Sequence, residues 1–126
     1  MTQEQKELLL KDLCNRLPYR VKVQDIYYKS LEPAPIWLID IHAQNVRMFT
    51  DEGYQSIEYI KPYLFPLSSM TEEQRKEFDT TLKYLHAEEI DIWTHDTYDW
   101  CDKNHFDYRG LIPMGLANNA TVLNIY

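Results

Sequence analysis

From Val21 to Ile60 the chain runs as short β-prone segments joined by short polar turns. That pattern restricts this stretch to an antiparallel meander. Val21 and Val23 alternate with Arg20 and Lys22. Gln24-Asp25 then breaks the phase before Ile26-Tyr27-Tyr28, which predicts a bulge or a turn. Glu32-Pro33-Ala34-Pro35 predicts a loop, because two prolines deny ladder donors. Ile36 to His42 is the strongest strand, with Trp37, Ile39 and Ile41 on one face and Ile36 and Leu38 on the other. Apolar residues on both faces predict a central strand. Ala43-Gln44-Asn45 turns, Val46 to Thr50 returns, Asp51-Glu52-Gly53 turns again, and Gln55 to Ile60 reads as a further strand. Four or five such strands fit an open meander or a small SH3-like barrel, and the sequence does not separate the two.

Helices flank this region. Thr2 and Gln5 stand at capping-box spacing. Leu10, Leu13, Cys14 and Leu17 fall at i, i+3, i+4 and i+7 on one helical face, with Glu4, Lys6, Lys11 and Asp12 elsewhere. Pro18 stops this helix. Lys61 to Leu67 reads as an apolar linker bracketed by prolines, expected to run across the sheet. Thr71 and Gln74 form a second capping box, and Glu72 and Glu73 suit the positive end of the helix that follows. Phe78, Leu82 and Leu85 supply its stripe, and its end is expected near His86 or Ala87. Ile90 and Ile92 fit a short strand. Thr94 or Thr97 caps a third helix reaching about Asn104. Gly110 and Pro113 limit Arg109 to Met114 to a turn, and Thr121 to Tyr126 reads as an edge strand. Neither a repeat nor a flexible linker divides residues 1–126. The expected fold is one α+β domain: an N-terminal helix, the meander or small barrel, two helices and an extended C-terminal tail.

Composition narrows the functional classes. The 126 residues suffice for one domain that buries roughly two thirds of its unfolded surface. The net charge is −7. Nucleic-acid binding relies on clustered Lys and Arg displacing counterions, and the nearest approach to a basic patch is Arg20, Lys22 and Lys29. No nucleic-acid partner is expected. Cys14 and Cys101 form no CxxC pair, and Cys14, in the first helix, is expected to pack as a small hydrophobe. The first residues lack a basic region followed by an apolar run, so no signal peptide is expected. No apolar run is long enough to span a membrane. Cytoplasmic residence is the resulting expectation.

Two of the three glycines, Gly110 and Gly115, fall in the stretch Asp99 to Ala117 beside Trp100, Phe106, Tyr108 and Arg109. Arg109 suits bidentate capture of a carboxylate, from Asp107 or from a partner. Trp100, Tyr108 and Arg109 are therefore the candidate binding residues, although a core closure locked by an internal ion pair explains the same residues and is preferred. His95, Cys101 and His105 are the candidate metal ligands, since Cys101/His105 and His95/Asp99 stand at i, i+4. A simpler account assigns Asp96 and Asp99 to a helix N-terminus, Cys101 to the core and His105 to a helix end. No HExxH, GxSxG, GxxxxGK[ST] or GxGxxG occurs. No catalytic residue and no cofactor is assigned. Ten tyrosines and three tryptophans favour a protein–protein surface or core filling.

KPYLFPLSSMTEEQ (Lys61 to Gln74) and NHFDYRGLIPMGLA (Asn104 to Ala117) resemble a group of short uncharacterised proteins of Bacteroides-type gut bacteria and their phages and prophages. ELLLKDLCNRLPY followed by VKV, near the N-terminus, is similar to the same group. Asp25 to Glu58 and Thr80 to Asp96 diverge from it. The resemblance implies a mobile-element accessory protein and carries over no catalytic role. The leading expectation is a non-enzymatic protein that acts through contact with a protein partner. The alternative is a small enzyme or metal-binding protein using the His95 to Asp107 region.

Overall fold

The computed structural model describes residues 1–28, 32–48 and 53–126. Helix α1 spans Gln3–Arg16. The Thr2 hydroxyl accepts the Gln5 N–H at 3.1 Å, and the Gln5 side chain accepts the Thr2 N–H at 2.9 Å. Pro18 ends the helix as expected: Leu17–Tyr19 tighten into a 3-10 turn, and Arg20 leaves it with φ 58°. The buried face differs from the expected one. Leu9, Asp12 and Arg16 are fully buried with Leu13, whereas Cys14 and Leu17 are half-buried.

The sheet starts with β1 (Lys22–Asp25), β2 (Ala34–Asp40), β3 (Asn45–Met48) and β4 (Tyr54–Ser56). A 3-10 turn at Ile57–Tyr59 leads into β5 (Ile60–Pro66). The strand order is β4-β3-β2-β1-β5, and all four ladders are antiparallel. β2 is central, as expected, and is shared: Ala34 and Pro35 pair with β1, while Ile36 to Asp40 pair with β3. β1 thus pairs with β2 on one side and with β5 on the other. No ladder joins β4 to β5 among the described residues.

The turn expected after Gln24-Asp25 is present: Asp25 closes β1, and its Oδ1 accepts the N–H groups of Tyr27 and Tyr28 in the turn beyond. Three expectations for this region change. Ala34-Pro35 belongs to β2 and not to a loop. Gln55 to Ile60 is interrupted by the 3-10 turn. The proline-bracketed linker is strand β5, because the bonds on this stretch do not call on a proline nitrogen. The Tyr59 carbonyl accepts from Ile26, the Leu64 carbonyl accepts from Ala120, and the Phe65 N–H donates to the His105 carbonyl. The return from β3 to β4, which includes Phe49 to Glu52, lies largely outside the described residues.

After a 3-10 turn at Leu67–Ser69 come α2 (Glu72–Thr81), the hairpin β6 (Lys83–Leu85) with β7 (Ile90–Ile92), and α3 (His95–Lys103). Thr71 and Thr94 cap the two helices with full capping boxes. α2 stops well before His86, because the Thr81 carbonyl accepts the hydroxyls of Thr94 and Thr97 at 2.8 and 3.0 Å. The cap of α3 thus fixes the end of α2. Two short strands, β8 (Phe106–Asp107) and β9 (Asn118–Asn119), add parallel ladders to β5, so the sheet is mixed and not purely antiparallel. The tail is not an edge strand: residues 121–123 turn, and Tyr126 folds back so that its hydroxyl donates to the Tyr63 carbonyl at 2.8 Å.

The main core gathers Leu9 and Leu13 from α1, Val21 just before β1, Val23, Ile36, Val46 and Leu64 from the sheet, and Leu111 and Leu116 from the C-terminal segment. A second cluster centres on Phe78, Cys101 and Phe106, with Trp93 and Trp100 packed against it.

Candidate functional site

Asp12 and Arg16 stand one helical turn apart on α1, on the face that carries Leu9 and Leu13, so burying that face buries both charges. Both side chains are 0% exposed. The Arg16 guanidinium donates to Asp12 Oδ2 at 2.8 Å, to Asp12 Oδ1 at 3.2 Å and to the Phe106 carbonyl at 2.6 Å. Burial alone would lower the Arg16 pKa, but Asp12 and then Asp102 more than offset it, and the group is held cationic. Arg109 Nε reaches Asp12 Oδ1 at 3.1 Å. The Tyr108 hydroxyl donates to Asp102 Oδ1 at 2.7 Å, and both guanidiniums sit over the Tyr108 ring, Arg16 at 5.2 Å and Arg109 at 5.0 Å. Two carboxylates, two guanidiniums and a phenol thus join α1, α3 and the segment after α3.

A cleft of about 500 Å³ opens over this cluster. Asn15, Tyr98, Asp99, Asp102, Tyr108 and Arg109 line it, and His95 stands at its rim with a side chain 91% exposed. His95 Nε2 lies 3.5 Å from Asp99 Oδ2. The Tyr98 ring meets Tyr108 edge-on at 5.2 Å and leans on Trp93 at 5.2 Å. Burial pushes the Asp102 carboxyl above the usual carboxylate range, although Tyr108 and Arg16 pull the other way. Burial, then the hydrogen bond to Asp102, pushes the Tyr108 phenol up to about 12. The raised phenol keeps Tyr108 a neutral donor to Asp102.

The residues singled out in the sequence go to three places. Tyr108 and Arg109 meet in the cleft. Arg109 pairs with Asp12 and not with Asp107. Asp107 instead accepts the N–H groups of Leu111 and Ile112, both at 2.9 Å. Gly110 stands inside that turn at φ +75°, with nothing within 4 Å of where a Cβ would be. It is needed for backbone conformation and not for space. Trp100 lies apart from the cleft, half-buried, stacked on Phe106 at 5.4 Å with Nε1 donating to Glu77.

The metal candidates separate. His95 is at the rim, Cys101 is fully buried with its thiol pushed up to about 12 by burial, and His105 is half-buried against Tyr126 at 3.7 Å. Among the described residues no group of three or more His, Cys, Asp or Glu is placed to hold a metal ion. Of the basic candidates, Lys22 donates to the Ile125 carbonyl and lies over the Tyr126 ring, and Lys29 falls outside the described residues. Asp12 and Arg16 escaped the sequence reading, whereas Asp102 lies in the His95 to Asp107 region that it singled out. The available signal was that Asp12 and Arg16 share the face of Leu9 and Leu13.

The outer face of the sheet presents a second kind of surface. Leu38 pairs with Arg47, and Arg47 with Tyr54, so the three side chains form one row across β2, β3 and β4. All three are exposed, and the Arg47 guanidinium lies 5.1 Å over the Tyr54 ring. Trp37 is 48% exposed beside them, where the register shifts between Ile36 and Leu38. No helix among the described residues is long and apolar enough to cross a membrane. Comparison with family models, with curated proteins and with solved structures found no match to this chain.

Proposed function

We propose that the chain is a non-enzymatic accessory protein of a phage or mobile element of Bacteroides-type bacteria, and that it acts by contact with a protein partner. The observation that carries this reading is the exposed row of Leu38, Arg47 and Tyr54 with Trp37 at its side. Aromatic residues and Arg are the types enriched at the centres of protein interfaces. The resemblance of Lys61–Gln74 and Asn104–Ala117 to short phage and prophage proteins supplies the context.

The test is crosslinking of the tagged chain inside a Bacteroides-type host, followed by mass spectrometry, for the native sequence and for an Arg47→Glu/Tyr54→Ala variant. The expected result is one protein captured by the native chain and reduced at least about tenfold by the variant, with an unchanged melting temperature. Equal capture by both chains, or nothing above the tag alone, overturns the reading.

A further inference from the structure

We infer that the cleft between α1, α3 and the segment after α3 is a binding site for a cationic group, a primary ammonium or a guanidinium. It uses none of the residues in the exposed row on the sheet. Three observations carry the assignment.

The first is charge. Asp12 lies beneath the cleft and engages both Arg16 and Arg109. Asp99 and Asp102 then face the cavity: Asp102 takes the Tyr108 hydroxyl and feels Arg16, 3.9 Å from its Oδ1, and Arg109, while Asp99 has the exposed His95. An anion entering here would meet two carboxylates, and the one guanidinium on the wall already donates to Asp12. A cation would meet their attraction, in a chain whose net charge of −7 draws cations toward it.

The second is an acceptor with spare capacity. Asp102 is 3% exposed and lines the cleft. Its Oδ1 takes the Tyr108 hydroxyl, and Oδ2 makes no hydrogen bond to the described residues. Oδ2 is not among the buried atoms left without a partner, so it is reached from the cleft. A charged N–H donor from a ligand fills this acceptor.

The third is the aromatic wall. Tyr98 is 43% exposed, and its orientation is set by an edge contact to Tyr108 and a tilted contact to Trp93. A cation over an aromatic ring is attracted to its face. The faces of Tyr108 already carry Arg16 and Arg109, so Tyr98 is the ring available to a newcomer. A volume of about 500 Å³ admits a small organic amine or one long side chain of a partner.

Both sources share one chemistry, and titration of the full isotopically labelled chain at low salt separates them. The probes are agmatine, a short uncharged peptide with a single Arg or Lys, and inorganic phosphate. Amide shifts at Asn15 and across His95 to Arg109 with the cationic probes, and none with phosphate, are expected. Tighter binding of agmatine assigns a free amine, and tighter binding of the peptide assigns a partner side chain. Asp99→Asn and Tyr98→Leu change exposed groups, so each should keep the native melting temperature while weakening binding about tenfold. Asp102→Asn tests the buried acceptor, with amide dispersion reporting whether it folds. Shifts with phosphate alone, no shifts with either cation, or shifts that persist unchanged in both Asp99→Asn and Tyr98→Leu overturn the inference.

Discussion

Arg16 is the residue on which most of the internal polar structure converges. It is the largest fully buried side chain among the described residues, and its charge is tolerable because Asp12 sits one turn away. Removing one member of such a pair leaves the other charge buried and unpartnered. Asp12→Ala should therefore lower stability by about 3–5 kcal/mol in urea unfolding, and the double replacement Asp12→Leu/Arg16→Met should lose less than that single change. His105 is the residue that senses acid. Burial, with Arg16 and Lys22 nearby, holds its imidazole down to about 4 from the usual 6.5. Below pH 6.5 the unfolded chain takes up a proton that the native chain refuses, so stability falls as pH drops from 6.5 to about 4. Asp102 acts in the opposite sense, because a raised carboxyl pKa makes the native chain the better proton binder at low pH. Melting temperatures measured across that range should show a net decline, and His105→Asn, which tolerates the φ of 64°, should flatten it.

At the scale of elements, the sequence was legible wherever a signal is local. α1 and α2 begin after Thr2 and Thr71 with the capping boxes that the spacing predicted, and of the two threonines open for α3 it is Thr94 that caps, with Thr97 closing its box. The C-terminal turn was equally readable from Gly110. Its φ of +75° with open space around the missing Cβ makes a clean prediction. Gly110→Ala should cost about 1–2 kcal/mol through backbone conformation alone, and Gly110→Asn clearly less, both read from thermal unfolding. Elements defined by remote partners were not legible. Nothing within Lys61 to Pro66 announces a strand, because its ladders come from β1, β8 and β9, and two prolines argue against it. The end of α2 is set by hydroxyls thirteen and sixteen residues away. The cleft was half legible: Tyr108 and Arg109 stood out by composition, but their partners Asp102 and Asp12 are fixed only by the tertiary fold, Asp12 from 97 residues away.

For the whole molecule, the main core is the sum of α1, the sheet and the C-terminal segment, and Leu13 lies fully buried where they meet. Leu13→Ala should cost about 2–5 kcal/mol in equilibrium unfolding, and solvent exposure of Leu13 in an experimental structure would remove the basis for that figure. The bonds that bind this assembly reach far along the chain. The Phe106 carbonyl that completes Arg16 stands ninety residues beyond it, and β5 pairs with strands made before and after it. On the ribosome, α1 emerges with its guanidinium bonded only to Asp12, and neither that carbonyl nor Asp102 yet exists. The sheet side of its seat, Val21 to Leu64, is made early, but the polar side is complete only when the last quarter of the chain has been translated. A chain that ends before Phe106 therefore leaves the buried guanidinium short of its carbonyl, an incomplete fold open to proteolysis.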